Sequence, residues 1–540
     1  MHAEGIALHC VGLTTLQAAF LPLNNKGVNM RRTRGRAFVA LAAPLAIGLV
    51  ALTGCTSGGS GGDAGGGSGN KDLLTIGMTA DIQGWDPGVQ PSYQGWSADA
   101  VWDSLLRCDK TGKPEPSLAD KWEFSADQKT ATLHIRDGVK FSDATPVDAA
   151  AVKANAEYYA TAGGASSRWA GITVQTPDSQ TVAISWPTPN PLLALRMCES
   201  KIATPASIAS KKFDVPVGSG PYTLSESETT RGSVYTFVKN DSFWDSANFP
   251  YKKLVIKVLE DETAAVNALK TQQIDGTMVS AATLEEAKGA GQNIQTLKGS
   301  STTRLLITDH LGEKVPALGN LDVRKAMNMV FDRDAMAEKL YQGHASPAYQ
   351  IFREGSDAYI DGLQDPYPFN ADQAKALMAK AGFANGFTLQ IPTMAGQNHE
   401  TLMPYITQQL ALLNIKVEQV PLSGPNAIAE LLSGKFPVPL WQLGNYGESL
   451  QDISDYILKD GIWNVSHQAD AKVDALWKIV LTGSEAERKQ AEQDLNKYVT
   501  EQAWFVPMAY MDRFYATNPK VDLQESSDFS GLHPLLRDFK

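Results

Sequence analysis

Two segments of the sequence concentrate aromatic and amide side chains, which are residue types suited to enclosing a small polar solute. Rigid amphipathic rings tolerate variation in the apolar parts of a ligand, and a few polar groups fix its orientation. We expect ligand contacts from the following residues: Gln83, Trp85, Tyr93, Trp96, Trp441, Asn445 and Tyr446. For Tyr93 and Trp96, a place in the hydrophobic core is an equally good interpretation.

Motifs for catalysis and metal binding are missing or stand in the wrong context. The sequence contains neither a His-Glu-x-x-His motif nor a P-loop, and its Gly-x-Ser-x-Gly pattern at 58–62 lies in a Gly/Ser-rich stretch without a preceding strand. Six histidines follow residue 54 without a spacing that would hold nickel or haem: His134, His310, His344, His399, His467 and His533. We therefore expect no catalytic residue, no metal and no cofactor.

Strand and helix patterns alternate along the chain and must position these side chains. Residues 73–78 form an apolar strand that leads into the loop carrying Gln83 and Trp85, and α/β proteins build their sites at such strand ends. Residues 130–135 and 254–259 also read as strands, whereas 262–269 and 372–381 have helical spacing. The alternation predicts an α/β fold.

The N-terminal region resembles a bacterial lipoprotein signal peptide over residues 30–54. Arginines at 31–36 precede an apolar run at 38–52, and small residues then lead to Cys55, which would be lipidated and anchor the protein outside the cytoplasm. The alternative, a transmembrane helix, fits less well because the run is shorter than about 20 residues and contains Pro44.

Two further N-terminal segments follow from this interpretation. Residues 1–29 have no matching role, so we expect a mis-assigned leader and translation from Met30. Residues 55–70 are mostly Gly and Ser and are expected to form a flexible tether.

Composition and charge limit the partners and the number of domains. The chain has 43% hydrophobic residues, which is enough for two or three packed units after residue 70. The net charge is −11, and the leader contributes mainly cations, so the acidic body would repel nucleic acid. Cys108 and Cys198 are left as a possible disulfide of an exported protein, with two buried free thiols as the alternative.

Several short motifs, in order, resemble the extracytoplasmic solute-binding proteins of the peptide and nickel ABC-importer class (family 5). They include Gly218-Ser219-Gly220-Pro221-Tyr222 and the Asn-x-x-Phe-Trp run at 240–244. The remaining matches are a Pro-x-Leu-Ala…Trp…Ser-x-Asp run at 116–127, an Arg-x-Gly-Val-x-Phe signature at 136–141, and shorter elements at 274–276, 323–326, 331–333 and 374–377. Each motif is weak alone, and their shared order carries the resemblance. Most of them have structural roles, such as the tight turn at 218–222.

The resemblance implies a two-lobed, periplasmic-binding-protein-like α/β fold with the solute cleft between the lobes. By analogy, lobe one comprises 71–303 and the returning segment 508–540, with a subdomain at 101–215, and lobe two comprises 304–507. Residues 302–308 and 505–510 would cross between the lobes. Closure of the lobes around the solute would then be the conformational step.

The resemblance also implies a function, with one departure at the expected site. The chain would be a monomeric, lipid-anchored binding protein that delivers a peptide or similar polar solute to an ABC permease and its ATPase. Peptide-binding members place an Asp after the Trp that matches Trp441, whereas this sequence has Asn445, and an amide cannot neutralise a ligand amine. Asp452 and Asp455 could compensate or cap the following helix. Arg353 is the candidate partner of a ligand carboxylate, although a surface role fits equally.

Two other function classes stay open at this point. A secreted, lipid-anchored hydrolase would need catalytic residues that converge only in the fold. A solute-sensing or chaperone-like lipoprotein would bind the solute on the same fold without serving an importer.

Overall fold

The computed structural model describes residues 71–82, 84–88, 95–109, 112–162, 169–259, 261–394, 399–423, 427–444, 449–525 and 533–540. The leader, the signal-peptide segment, Cys55 and the tether therefore lie outside the described residues. Gln83, Tyr93, Asn445 and Tyr446 lie outside them as well.

Seventeen strands occur in the described ranges. They are β1 (Lys71–Met78), β2 (Leu106–Cys108), β3 (Pro114–Pro116), β4 (Ala119–Phe124), β5 (Thr130–Ile135), β6 (Thr173–Gln175), β7 (Thr181–Ser185), β8 (Tyr222–Leu224), β9 (Val234–Lys239), β10 (Tyr251–Val258), β11 (Gly276–Val279), β12 (Asn293–Leu306), β13 (Ala345–Pro347), β14 (Thr388–Thr393), β15 (Lys416–Pro421), β16 (Leu440–Gly444) and β17 (Phe505–Thr517).

Fourteen α-helices connect these strands within the same ranges. They are α1 (Gly95–Val101), α2 (Ala149–Ala162), α3 (Leu193–Glu199), α4 (Pro205–Ser210), α5 (Glu262–Lys270), α6 (Ala281–Gly289), α7 (Leu321–Met329), α8 (Arg333–Ala335), α9 (Ala371–Lys380), α10 (His399–Ala411), α11 (Ala427–Leu431), α12 (Ser449–Asp452), α13 (Ala471–Thr482) and α14 (Glu485–Glu501). Single π-helical turns follow α8 at Met336–Leu340 and α12 at Ile453–Ile457.

The predicted elements agree with the structure to within a few residues. The strand expected at 130–135 is β5, and the helices expected at 262–269 and 372–381 are α5 and α9. Both helices begin at side-chain caps, because Asp261 accepts a hydrogen bond from the Ala264 amide and Asn370 accepts one from the Gln373 amide. Gly382 follows α9 with φ +82°, a conformation that favours glycine at a helix C-terminus.

A mixed sheet forms the framework of the molecule. Among the described strands its order is β16-β12-β17-β11-β1-β10-β9-β8, and β13 pairs with β17. Strand β1 lies between β10 and β11 and runs parallel to both, and α5 makes the crossover connection from β10 to β11.

Two long strands, β12 and β17, run through both lobes. Residues 293–297 of β12 pair with 513–517 of β17, beside β11, whereas residues 301–306 pair with 505–511 and carry β16 on their other edge. The register shifts between these two stretches. The segments expected to cross between the lobes therefore belong largely to one continuous strand pair. The exact lobe boundaries stay predictions, since neither strand ends at them.

Separate hydrophobic cores lie within the predicted lobes and the predicted subdomain. One core gathers residues of β1, β9 and β10 in lobe one, and another gathers the four-stranded sheet β4-β5-β7-β6 and α2 in the predicted subdomain. Lobe two has two cores, one around α7, α9 and α10 and the other around β16, α13 and α14. The mixed α/β architecture is the two-lobed one that the sequence predicts.

A disulfide joins the two remaining cysteines of the sequence. Cys108 at the end of β2 and Cys198 in α3 are bonded, with their Cα atoms 5.7 Å apart. Cys108 packs with Leu192 and Leu195, so the bond ties α3 to the β2–β3 hairpin. The structure has the disulfide rather than two free thiols.

Candidate functional site

Trp441 lies on β16 in an aromatic cluster of lobe two. Its side chain is 6% exposed, and its ring centroid lies 5.0 Å from that of Trp463 and 6.4 Å from that of His399. Tyr456, in the π-helical turn after α12, packs against Trp463 on its other side. These rings make a rigid apolar wall on one face of the sheet.

Arg304 lies directly opposite Trp441 on the neighbouring strand β12. Opposed residues of an antiparallel pair project from the same face, so the guanidinium enters the aromatic cluster. Its Cζ stands 4.3 Å from the Tyr456 ring centroid, and its Nη1 donates to the Ile351 carbonyl at 3.3 Å. The side chain is 0% exposed, and its Nε and Nη2 have no hydrogen-bond partner.

Asp452 is the acidic member of this cluster. It ends α12, is 1% exposed, and its Oδ1 has no hydrogen-bond partner. Burial raises the pKa of Asp452 to about 7, since the ionised carboxylate is poorly solvated, while Arg304 and Arg353 favour the charged form and Asp455 opposes it. Asp452 makes no capping hydrogen bond to the turn that follows, so helix capping does not account for it.

Arg353 supplies a second guanidinium beside Asp452. Its side chain is half-buried, and its Nε is buried without a hydrogen-bond partner. Burial lowers the pKa of Arg353 from its usual value, and the negative charge of Asp452 partly restores it. Arg353 is thus close enough to Asp452 for the two charges to influence each other.

Helix α12 also contacts α3, an element of the predicted lobe one. Arg196 of α3 donates from Nη2 to the Gln451 side-chain oxygen, and Gln451 donates in turn to Asp455 Oδ2 at 2.5 Å. Leu450, one residue earlier, packs against the apolar group around the Cys108 disulfide. The residues next to Asp452 therefore touch α3 and the apolar group around the Cys108 disulfide, which belong to the predicted subdomain of lobe one.

Trp85 and Trp96 lie in the core of lobe one instead. Trp85 is 1% exposed and makes edge contacts with the rings of Trp102, Tyr235 and Phe237. Trp96 is 3% exposed, and its Nε1 donates to the Pro534 carbonyl at 2.8 Å. The core interpretation is favoured for Trp96, and Trp85 has the same environment. Neither belongs to the hydrophobic cluster that contains Trp441.

Sequence reasoning missed Arg304 and undervalued Asp452. A signal for Arg304 exists, because an arginine interrupts the otherwise uncharged run Thr302–Thr308 of a strand expected to cross between lobes. A charged residue in the middle of a buried strand needs a partner or a function. For Asp452 the sequence offers no signal other than its position shortly after Trp441 in the chain.

A separate cavity of about 230 Å³ lies within lobe one. Its walls come from residues 99–108, 195–201, 221–249 and 535–537, so a solute enclosed between the lobes would not occupy it. Over the described ranges, no three His, Cys, Asp or Glu side chains lie close enough together to hold a metal ion. None of the helices in those ranges has the length and hydropathy of a membrane-spanning segment.

Comparisons with known proteins agree with this architecture. The profile of the bacterial extracellular solute-binding proteins, family 5 (middle region), matches residues 113–463. The glutathione-binding protein GsiB of Escherichia coli O6:K15:H31 is 26% identical over 351 residues, which cover 62% of this chain and 66% of GsiB. The chain thus spans slightly less than two thirds of the length of this relative.

Solved structures show the same fold. DppA from Helicobacter pylori, in complex with the peptide STSA, superposes with a TM-score of 0.74 at 20% identity and covers 88% of this chain and 98% of its own. AgaA from Agrobacterium tumefaciens R10, in complex with agropinic acid, has a TM-score of 0.73 at 25% identity, with 83% and 94% covered. With the family profile matching well over half of its length, the chain belongs to the bacterial extracellular solute-binding proteins of family 5.

Proposed function

We propose that this protein captures a peptide or a similar small polar organic solute outside the membrane and delivers it to the permease and ATPase of an ABC importer. The observation that carries the proposal is the cluster of Trp441, Arg304 and Asp452 beside the strand pair that joins the lobes. Aromatic walls with a few convergent polar groups are typical of solute sites. Glutathione, a peptide and an organic acid are bound by the three relatives named above.

Closure of the two lobes would enclose the solute. Strands β12 and β17 are the covalent connections at which a hinge motion would bend, and their register shift lies between the two paired stretches. The contact between Arg196 and Gln451 forms only when α12 meets lobe one, so it would report the closed arrangement. The permease would then distinguish closed from open protein, and no chemical step on the solute is needed.

A lipid anchor at Cys55 would hold the protein at the outer side of the membrane. The support is the order of basic, apolar and small residues before Cys55, with the Gly/Ser stretch after it. Such a tether lets the globular body sample the space above the membrane while it stays near the permease.

Native mass spectrometry of the soluble form, residues 56–540 purified without refolding, tests the proposal. A bound solute should appear as an added mass, and readdition after denaturing removal should restore it. At a hundredfold excess over Kd, the solute should raise the unfolding free energy by about 2.7 kcal/mol. A protein that carries no solute and gains no stability from a panel of peptides, amino acids and organic acids would contradict the proposed function.

A further inference from the structure

The cavity within the predicted lobe one has no role in the function proposed above. Its volume is about 230 Å³. Its walls come partly from residues 99–108 and 195–201, almost all in the predicted subdomain, and partly from residues 221–249 and 535–537 of the rest of lobe one. An apolar cavity of about 150 Å³ is enough to hold a benzene molecule. The cavity is therefore large enough for a single-ring compound with a small substituent.

Aromatic rings and a disulfide contribute the apolar part of the wall. The ring centroid of Phe243 lies 5.5 Å from that of Trp244 and 5.4 Å from that of Phe249, so the three rings form a continuous surface. Cys108 and Cys198 bring their disulfide to the same wall. Rings and sulfur atoms both make favourable contacts with aromatic ring systems. The wall therefore suits a ligand with an aromatic body.

Salt bridges within the protein pair the basic side chains of the wall. Lys201 Nζ lies 2.7 Å from Asp99 Oδ1. Asp245 Oδ2 lies 4.0 Å from Arg107 Nη1 and 3.8 Å from Arg537 Nη2. A charged ligand would have to displace one of these partners or enter without one, and an unpaired charge is costly to bury.

The two remaining carboxyl groups of the wall are engaged as well. Asp103 accepts a hydrogen bond from the Ser117 hydroxyl at 2.7 Å and another from the Trp244 indole. Burial also raises the pKa of Asp103, which favours its uncharged form. Glu199 pairs with Arg196. Because the ionisable side chains of the wall already have partners in the protein, the cavity favours an uncharged ligand.

The indole of Trp102 offers a hydrogen-bond donor. Trp102 lies in the wall and is 2% exposed, and its Nε1 has no hydrogen-bond partner among the described residues. Most buried polar groups are paired, because burial without a partner loses the hydrogen bond to water without replacing it. A ligand with one acceptor atom would supply the missing partner.

We propose that this cavity is a second ligand site, which binds an uncharged aromatic compound whose carbonyl or hydroxyl oxygen accepts a hydrogen bond from Trp102 Nε1. The inference does not depend on the proposed function, because none of the described residues in the wall belongs to the predicted lobe two. The ligand would contact the subdomain and the rest of lobe one at once, and would stabilise their association. It would be bound alongside a solute in the cleft, without competing with it.

Three probes of similar shape test the ligand class on the soluble form, residues 56–540. Acetophenone carries a carbonyl acceptor, ethylbenzene lacks this oxygen, and benzoate carries a negative charge. In isothermal titration, acetophenone should bind with a Kd of about 0.1–1 mM, a reasonable affinity for a ligand of about nine non-hydrogen atoms. Benzoate should bind at least about 10-fold more weakly, because its charge finds no free partner in the wall.

Three variants locate the binding and test the donor. Leu535→Trp adds a large ring at a partly exposed position of the wall and should abolish the binding of acetophenone. Leu311→Trp is the matched control, since it makes the same change at an exposed leucine of the predicted lobe two and should leave the binding unchanged. Trp102→Phe removes the Nε1 donor and should weaken acetophenone by roughly 3- to 10-fold without weakening ethylbenzene.

Circular dichroism shows whether each variant is folded. Leu535 is partly exposed, so the test of the site survives if Trp102→Phe unfolds.

Four outcomes overturn the inference. Absence of binding by all three probes would show that the cavity is not a ligand site, and binding that Leu535→Trp leaves intact would place the probe elsewhere. Tighter binding of benzoate than of acetophenone would contradict an uncharged ligand. An equal loss of acetophenone and ethylbenzene in Trp102→Phe would contradict the role of Nε1. The search for a cleft solute by mass spectrometry is independent of these results, so failure of the cavity site and failure of the proposed function can be told apart.

Discussion

Trp441 is packed as a core side chain and is also a proposed contact of the solute. It is buried against Trp463 and faces the Arg304 guanidinium from the neighbouring strand. Because a cavity would replace a packed ring, Trp441→Ala should lower the unfolding free energy of the solute-free protein by about 3–5 kcal/mol. Urea unfolding checks this, with Trp441→Phe expected to lose much less. An unchanged midpoint in Trp441→Ala would mean that the ring is not packed in solution.

Because the pKa of Asp452 is raised in the folded protein, we expect the stability of the protein to depend on pH. Its pKa is raised from 3.8 to about 7 in the folded protein, so the folded state holds a proton that the unfolded chain releases between about pH 4 and 7. Stability should therefore be highest below this window and fall as pH rises through it, by at most about 1.4 kcal/mol per pH unit for one group. Urea unfolding at pH 5, 6 and 7 measures the slope.

The Asp452→Asn variant isolates this contribution. Its unfolding free energy should fall less steeply with pH than that of wild-type protein. The difference between the two slopes should correspond to at most one bound proton. Glu492, whose pKa burial also raises to about 7, keeps a slope of the same sign in both proteins. The groups that act on Asp452 and stay in place are Arg304, Arg353, Asp455 and Tyr510. Identical slopes in the two proteins would contradict the assignment.

Single residues of the site were less predictable than the elements that carry them. Aromatic rings could be named from the sequence, but Trp441 differs from Trp85 only in its neighbours, which come from distant parts of the chain. Arg304 and Asp452 are 148 positions apart in the printed sequence, and the charge of Arg304 acts on Asp452 only because of the tertiary fold, in which β12 pairs with β16. Tertiary pairing of this kind leaves no local signal, whereas the periodicity of β5 and the cap of α9 are local properties.

At the scale of elements, the Cys108–Cys198 disulfide fastens α3 to the β2–β3 hairpin across 90 residues of sequence. Closing a loop of this length restricts the unfolded chain, so loss of the bond should destabilise the protein by about 2–5 kcal/mol. Thermal unfolding with and without dithiothreitol checks the effect. The Cys108→Ser, Cys198→Ser double variant should melt at the lower temperature and be indifferent to the reductant. A wild-type melting temperature that ignores complete reduction would contradict the prediction.

At the scale of the whole molecule, the framework was predictable because its family motifs recur in order along most of the chain. The change of pairing between β12 and β17 was not, because it depends on which strands meet in the fold. Residues 298–300 of β12 lie between the two paired stretches, and Gly299 among them has φ +56°. A glycine within a strand is a local signal of such a break, but it does not show which residues pair on either side of it.

Loss of the Arg196–Gln451 contact should shift the balance between open and closed protein toward the open form. Gln451→Ala removes one charge-assisted hydrogen bond between the lobes, which corresponds to roughly a tenfold or greater loss of the closed form. Small-angle X-ray scattering of the solute-free variant should therefore give a larger radius of gyration than wild-type protein. Gln490→Ala, at an exposed position of α14, is the control. Equal radii for all three proteins would show that this contact does not govern closure.

A lipid on Cys55 would hold the whole molecule at the membrane. If Cys55 carries the lipid, Cys55→Ala should move the protein from the membrane fraction to the soluble fraction and abolish labelling with a palmitate analogue. Stable retention requires more than one acyl chain, because a single chain gives only marginal binding, so loss of the modified residue should release nearly all of the protein. Cys10→Ala is the matched control, since Cys10 lies upstream of the expected start at Met30. Membrane retention of Cys55→Ala would rule out this anchor, whereas release by Cys10→Ala would show that translation begins before Met30.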